Sequence, residues 1–147
     1  MNTGYLLMNV SKQLRYELNL SLASIGITVQ QWAVIQQVGQ LSSNNNSATA
    51  VKLTKNLDMD KPTISGIINR LIKKGIILRQ ANPSDSRSYL LLLTKDGRGY
   101  LEKGEEISNR LLTDYLSKLS LVEQDQLNKI LTKLNKADTI SSEKGVQ

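Results

Sequence analysis

Apolar residues near the start of the chain recur with helical spacing. Leu7, Val10, Leu14 and Leu18 predict a helix from about Leu6 to Leu22. Gly26 marks its end, because glycine is the usual residue just past a helix C-terminus. Thr28 is suited to cap the next helix, its hydroxyl accepting from an orphan N–H, and Trp32, Ile35 and Val38 carry that helix to Gly39. Residues 41–50, LSSNNNSATA, cannot bury a face and read as an exposed loop. Thr49 caps a short helix through Leu53 to Leu57, Asp58-Met59-Asp60 makes a turn, and a further helix opens on Lys61-Pro62. Proline suits a first helical turn, where its missing N–H had no intrahelical acceptor. Ile64, Ile67, Ile68, Leu71 and Ile72 then fall at i, i+3, i+4, i+7 and i+8. This is the clearest amphipathic pattern in the chain. Gly75 stops it.

The period changes after Gly75. Ile76–Arg79 and Tyr89–Leu93 read as strands, and the turn-rich QANPSDSRS between them makes a hairpin with a long polar tip. Thr94-Lys95-Asp96-Gly97 starts a long helix with apolar positions at Tyr100, Ile107, Leu111, Leu112, Tyr115 and Leu119. Ser120 caps a last helix with Leu127, Ile130, Leu131 and Leu134, and SSEKGVQ is expected to fray. The fold class is therefore mainly α with a small β-hairpin. A helix–turn–helix followed directly by a hairpin is a winged helix, in which one helix lies in the major groove of DNA while the hairpin reaches a phosphate or the minor groove.

Charge placement points the same way. The net charge of +6 lies entirely in residues 52–98, which hold ten basic and four acidic side chains; the flanks are close to neutral. A basic segment between neutral flanks suggests a polyanion-binding surface. The chain has no cysteine and no histidine, which excludes disulfides, thiol chemistry and the commonest general base and metal ligand. No cofactor and no metal site are expected. One Trp, five Tyr and no Phe leave the core to Leu and Ile. No apolar run is long enough to span a membrane, and the first residues lack the features of a signal peptide, so a cytoplasmic location is expected.

The helix that opens at Lys61-Pro62 sets Lys61, Thr63, Ser65, Gly66, Asn69, Arg70 and Lys73 on the face opposite its isoleucines. Small polar groups there let a helix sit deep in a groove, Thr and Ser can meet bases or phosphates, and Asn can pair bidentately with adenine. Lys61 and the free N–H groups at the helix start suit a phosphate. In the hairpin tip, Pro83 and Asn82 supply turn geometry beside Ser84, and Arg87 supplies a planar cation for a narrow minor groove. Asp85 is repelled by phosphate, so its expected task is to hold an arginine, Arg87 or Arg79, in a fork-shaped pair.

These segments resemble the MarR family of bacterial transcription regulators. The matching stretches are LTKNLDMDKPTISGIINRLIKKGIILR, then NPSDSRSYLLLLTKDG, with GITVQQWAVI upstream. The most specific part is Asp85 and Arg87 followed by Leu93, Thr94 and Gly97. Ser86, where many members carry a second basic residue, and the long SSNNNS loop depart from the family pattern. The resemblance implies a homodimer joined through first and last helices, each protomer presenting a winged helix to half of a palindromic site in double-stranded DNA. It also implies a repressor relieved by a small aromatic or anionic effector, which would meet Arg15, Tyr16 and Trp32, although a core place is the stronger reading for Trp32. Oxidant sensing through cysteine and metal sensing through histidine are not open to this chain.

The expected organisation is a dimerisation helix in 1–27, a winged helix-turn-helix in 28–97, and dimerisation helices with a tail in 98–147, all in one integrated domain. The competing function is a protein-interaction adaptor of the same fold without specific DNA binding, against which the retained Lys61, Arg70, Arg79 and Arg87 speak. An enzyme is not expected, since no carboxylate pair or Ser–Lys constellation sits in an apolar setting and Glu105-Glu106 reads as a solvated helix face.

Overall fold

The computed structural model describes residues 2–135, so the expectation for SSEKGVQ lies outside the described residues. The element order is α1 (Thr3–Ala23), α2 (Val29–Ser43), α3 (Ala50–Leu57), α4 (Lys61–Lys73), β1 (Ile77–Ala81), β2 (Tyr89–Leu93), α5 (Lys95–Leu116) and α6 (Leu121–Leu134). The chain forms two compact units that meet within α5, one ending at Asn109 and one beginning at Arg110. None of the described helices is long and apolar enough to cross a membrane.

Helix ends follow from local chemistry. Thr28, Thr49 and Ser120 each accept from the backbone N–H three residues on, and Thr28 and Ser120 complete capping boxes with Gln31 and Glu123. Gly26 and Gly75 both lie at positive φ, 78° and 75°. At each, the next residue's N–H reaches back to close the last turn: Ile27 to the Leu22 carbonyl, Ile76 to that of Leu71.

Several boundaries differ from those expected. Helix α1 begins at Thr3 because Asn2 caps it, its side-chain oxygen accepting from the Tyr5 N–H at 2.7 Å. Helix α2 runs past Gly39 to Ser43. Gly39 is a packing residue: a Cβ there would lie 2.8 Å from Leu101 Cδ2. The stretch 41–50 is not wholly an exposed loop. Residues 41–43 are helical, and Ala48 is buried with its carbonyl accepting from the Leu91 N–H at 2.8 Å, which covers the outer edge of β2. Strand β1 starts at Ile77 because Ile76 is committed elsewhere, its N–H to the α4 cap and its carbonyl to Thr94.

The core of the first unit is aliphatic around one Trp. Leu22, Ile35, Leu53, Ile64, Leu71, Ile76 and Ile77 are fully buried, with Trp32 beside them. Sheet register pairs Ile77 with Leu93, Arg79 with Leu91 and Ala81 with Tyr89. Two glycines seal the hairpin and α5 to this core. A Cβ on Gly97 would lie 2.1 Å from the Ile76 carbonyl oxygen, and one on Gly104 would lie 2.2 Å from the Trp32 ring. Gly97 also donates its N–H to Thr94 Oγ1 at 2.9 Å, and that hydroxyl donates to the Gly75 carbonyl at 2.5 Å. The Leu-Thr-x-x-Gly sequence is thus a joint: Thr94 caps α5 and ties it to the end of α4, and Gly97 allows the approach.

In the second unit, Ser120 caps α6, and Gln124 Nε2 donates to the Leu116 and Leu119 carbonyls. No residue of α6 is buried; Leu121, Val122, Ile130, Leu131 and Leu134 are all exposed.

Overpacking against a rigid ring or backbone is destabilising by about 1–3 kcal/mol or more. Gly104→Ala and Gly97→Ala are each expected to reach that range in urea unfolding, whereas Gly99→Ala, with nothing within 4 Å of its added Cβ, should not.

Candidate nucleic-acid interface

Helices α3 and α4 are joined by a turn in which Asp58 adopts left-handed geometry, φ 51°. The reversal lets both helices bury an apolar face: Leu53 from α3, and Ile64, Ile67, Ile68 and Leu71 from α4. Packing of four side chains leaves α4 no freedom to roll about its axis. The opposite face is thereby directed outward. Lys61, Pro62, Asn69, Arg70 and Lys73 are exposed, and Thr63, Ser65 and Gly66 are half-buried. The expected face residues therefore share one surface.

The start of α4 differs from a bare helix N-terminus. Asp60 is the N-cap, its carboxylate accepting from the Thr63 N–H at 2.8 Å. One of the N–H groups expected to greet a phosphate is therefore already bonded within the chain. Hydrogen bonds from Thr63, the side chain first and then the backbone, hold the Asp60 carboxyl below its ordinary range.

Gly66 stands in the middle of α4 with nothing within 4 Å of where a Cβ would be. Glycine in a helix interior is less favourable than alanine by about 1 kcal/mol. No contact inside the protein calls for it.

The hairpin tip, residues 82–88, is built from its own polar groups. Asn82 Oδ1 accepts from the Ser84 N–H at 3.0 Å, and Asn82 Nδ2 donates to Ser88 Oγ at 2.8 Å. Asp85 Oδ1 accepts from the Arg87 N–H at 2.9 Å, and the Ser88 N–H donates to the Asp85 carbonyl. These are side chains standing in for backbone turn partners. Arg87 is the cation of this tip, its side chain 95% exposed. The fork-shaped pair expected of Asp85 is not formed. Arg87 Nε lies 4.0 Å from Asp85 Oδ1, a single long contact, because the carboxylate is turned toward the loop backbone. Arg79 does not meet Asp85 either: Nη2 donates to Asn69 Oδ1 at 2.6 Å, and the guanidinium lies over the Tyr89 ring, 5.7 Å from its centre. Sequence reasoning missed this contact between hairpin and α4. Only the pairing register puts Arg79 and Tyr89 near one another.

Among the described residues of the basic segment, Arg87 alone has a carboxylate within 4.0 Å. Lys74 is used internally, its Nζ donating to the Gly26 carbonyl at the end of α1. Arg79 and Arg98 also donate within the chain, to Asn69 Oδ1 and to the Leu93 carbonyl, though both side chains lie at the surface.

The residues expected to meet an effector are not brought together. Arg15 and Tyr16 lie exposed on α1, along an open groove with Leu7, Met8, Ser11 and Lys12. Trp32 is 2% exposed in the core, its ring against Gly104. Trp32 thus packs as a core residue, which is the plainer of the two readings the sequence offered for it.

Comparison with known proteins gives one pattern. The profile of the MarR family matches residues 27–89. The HTH-type transcriptional regulator FarR of Neisseria gonorrhoeae is 32% identical, the match covering 73% of this chain and 80% of FarR. Among solved structures, a cysteine-to-serine mutant of MarR from E. coli superposes with a TM-score of 0.80 at 27% identity, over 91% of this chain and 96% of that one. The same mutant complexed with operator DNA gives a TM-score of 0.78 at 27% identity, over 89% and 91%.

A depressed carboxyl pKa contributes stability that is present above the unfolded value and lost as pH falls through the folded one. Asp60→Ala should therefore destabilise the protein most near neutral pH, and the difference should shrink in acid below the ordinary carboxylate range. Denaturant unfolding at both conditions measures it; a difference that does not change with pH assigns the effect to something other than the charged cap.

Proposed function

This chain belongs to the MarR family, and we propose that it is a dimeric transcription repressor that binds a palindromic site in double-stranded DNA. One observation carries the reading. A helix pinned by four buried apolar side chains turns a polar, cationic face outward beside a hairpin tip whose arginine is almost wholly exposed. A helix of α-helical width fits the major groove, and a slender tip with a planar cation fits the minor groove. The resemblance to a solved regulator bound to its operator supports the same placement. On this reading Lys61, Pro62, Thr63, Ser65, Gly66, Asn69, Arg70 and Lys73 face the major groove, and Ser84 and Arg87 face the flank. Asp85 shapes the tip that presents Arg87. An effector, if one relieves repression, meets Arg15 and Tyr16 on α1, and Trp32 only where the core around it opens.

Dimerisation is supported by apolar surface that the monomer leaves open. Leu7, Met8 and Val10 are exposed on α1, and Ile130, Leu131 and Leu134 on α6. Exposed apolar side chains gathered on one helix, as on α1 and again on α6, mark interaction surfaces. A second copy covering them would also set two α4 helices at a fixed spacing, which a palindromic site requires.

The direct test is selection of bound fragments from genomic DNA, followed by titration of the enriched sequence. Enrichment of a palindrome and a dimer in sedimentation are expected; a stable monomer at micromolar concentration, or no enrichment, refutes the proposal.

Each neutralised phosphate contributes roughly 0.9 to the slope of log affinity against log salt, so Arg87→Ala should lower that slope by about 2 per dimer while leaving thermal stability unchanged. Gly66→Ala should act in opposite directions on two measurements. Unfolding should become harder by about 1 kcal/mol, since alanine is the better helix former. DNA affinity should fall, since the added methyl occupies the space through which the backbone approaches the groove. Unchanged affinity in that variant would remove Gly66 from the interface.

A further inference from the structure

Arg79 has no task in the interface just described, yet its surroundings decide what Asn69 can offer a base. A guanidinium has donors only, so the atom of Asn69 that it meets must be the amide oxygen. The bond is 2.6 Å long and charge-assisted. The amide nitrogen is the other end of the group, and among the described residues nothing accepts from it. Arg79 is itself held from the hairpin side. Its backbone sits in the β1–β2 ladder opposite Leu91, and its guanidinium rests over Tyr89 of the neighbouring strand. The orientation of an α4 side chain is thus set by β1.

This bears on base choice. The bidentate pair of asparagine with adenine uses both ends of the amide, the oxygen accepting from N6–H and the nitrogen donating to N7. In this chain one lone pair of the oxygen is engaged by a cation, which makes that oxygen a poorer acceptor for a second donor and the amide nitrogen a stronger donor. The N6 amino group of adenine would then bring a second donor to an oxygen that already holds a cation. Guanine presents two acceptors side by side, O6 and N7, and no donor on that edge.

We propose that Arg79 is a specificity-determining positioning residue, which by fixing the Asn69 amide makes α4 select guanine over adenine at the base pair facing Asn69. The proposal rests on the reading that α4 enters the major groove. The hydrogen bond and the stack act together: Tyr89 keeps the guanidinium in place, and the guanidinium keeps the amide from turning over.

The test is selection from a pool of random duplex DNA with the full-length protein and four variants, with sequencing of the bound fraction. Asn69→Ala identifies the base pair in question as the position where preference is lost. The wild type should favour guanine there over adenine by about tenfold, as one good contact allows. In Arg79→Ala the amide is free to turn, so that preference should shift toward adenine at this position while other positions keep theirs. Arg79→Lys keeps a donor and should keep the guanine preference. Tyr89→Leu should weaken it in part. An adenine preference in the wild type overturns the proposal. So does a uniform loss of affinity in Arg79→Ala with base preference intact, which would make Arg79 a phosphate contact. So does an Asn69→Ala profile identical to the wild type. No enrichment of any sequence by the wild type removes the major-groove reading itself, a different result from enrichment that ignores Arg79.

Discussion

Ile64, Ile67, Ile68 and Leu71 hold α4 to the core, and the direction of every polar side chain on its other face follows from that contact. A helix free to roll by one residue would turn its side chains through about a quarter of a circle, enough to exchange Asn69 for an isoleucine at a groove. Aliphatic packing resists this because each side chain fills a shape left by its neighbours, and a roll would open voids on one side while forcing overlap on the other. The polar groups contribute little to holding the helix. What they contribute is chemistry at positions that the apolar face has already chosen.

The hairpin reaches its place by a different route. Only Ile77 of β1 is buried, so the strand has little apolar surface to anchor it. Its position depends on the junction where Thr94 bonds the Gly75 and Ile76 carbonyls and where Gly97 lets α5 pass against that backbone. Polar bonds at a helix cap and a glycine chosen for close approach substitute for a core. The same junction joins the end of α4 to the start of α5, so the two elements on either side of the hairpin cannot separate without opening it.

Much of the fold was legible because its strongest signals are local. The isoleucine spacing of α4, the capping hydroxyls of Thr28, Thr49 and Ser120 and the glycines after α1 and α4 each act over a few residues, and periodicity reports such things well. What escaped was long-range. Gly39 has the appearance of a helix terminator, and only the approach of Leu101 from another helix explains its position inside α2. Ala48 lies in a polar run, and its burial depends on a strand that comes more than forty residues later. At the site, residue type correctly picked out a shared polar face on α4. It failed on partners: a carboxylate near two arginines suggests an ion pair, but Asp85 is closer to its own backbone, and Arg79 is closer to Asn69. Side chains of Asn and Asp in tight loops satisfy the nearest N–H first, since that bond closes the least chain.

The tip of the hairpin carries its own scaffolding. Its shape is determined by bonds among Asn82, Ser84, Asp85, Arg87 and Ser88, and none of them leads into the core. A segment built this way is a cassette. Its length, charge and sequence are free to diverge among descendants of one gene without any compensating change in the aliphatic interior, so long as the two strands still meet in register. In a lineage of such regulators the tip is therefore able to drift quickly while α4 stays bound to the slow pace of the core.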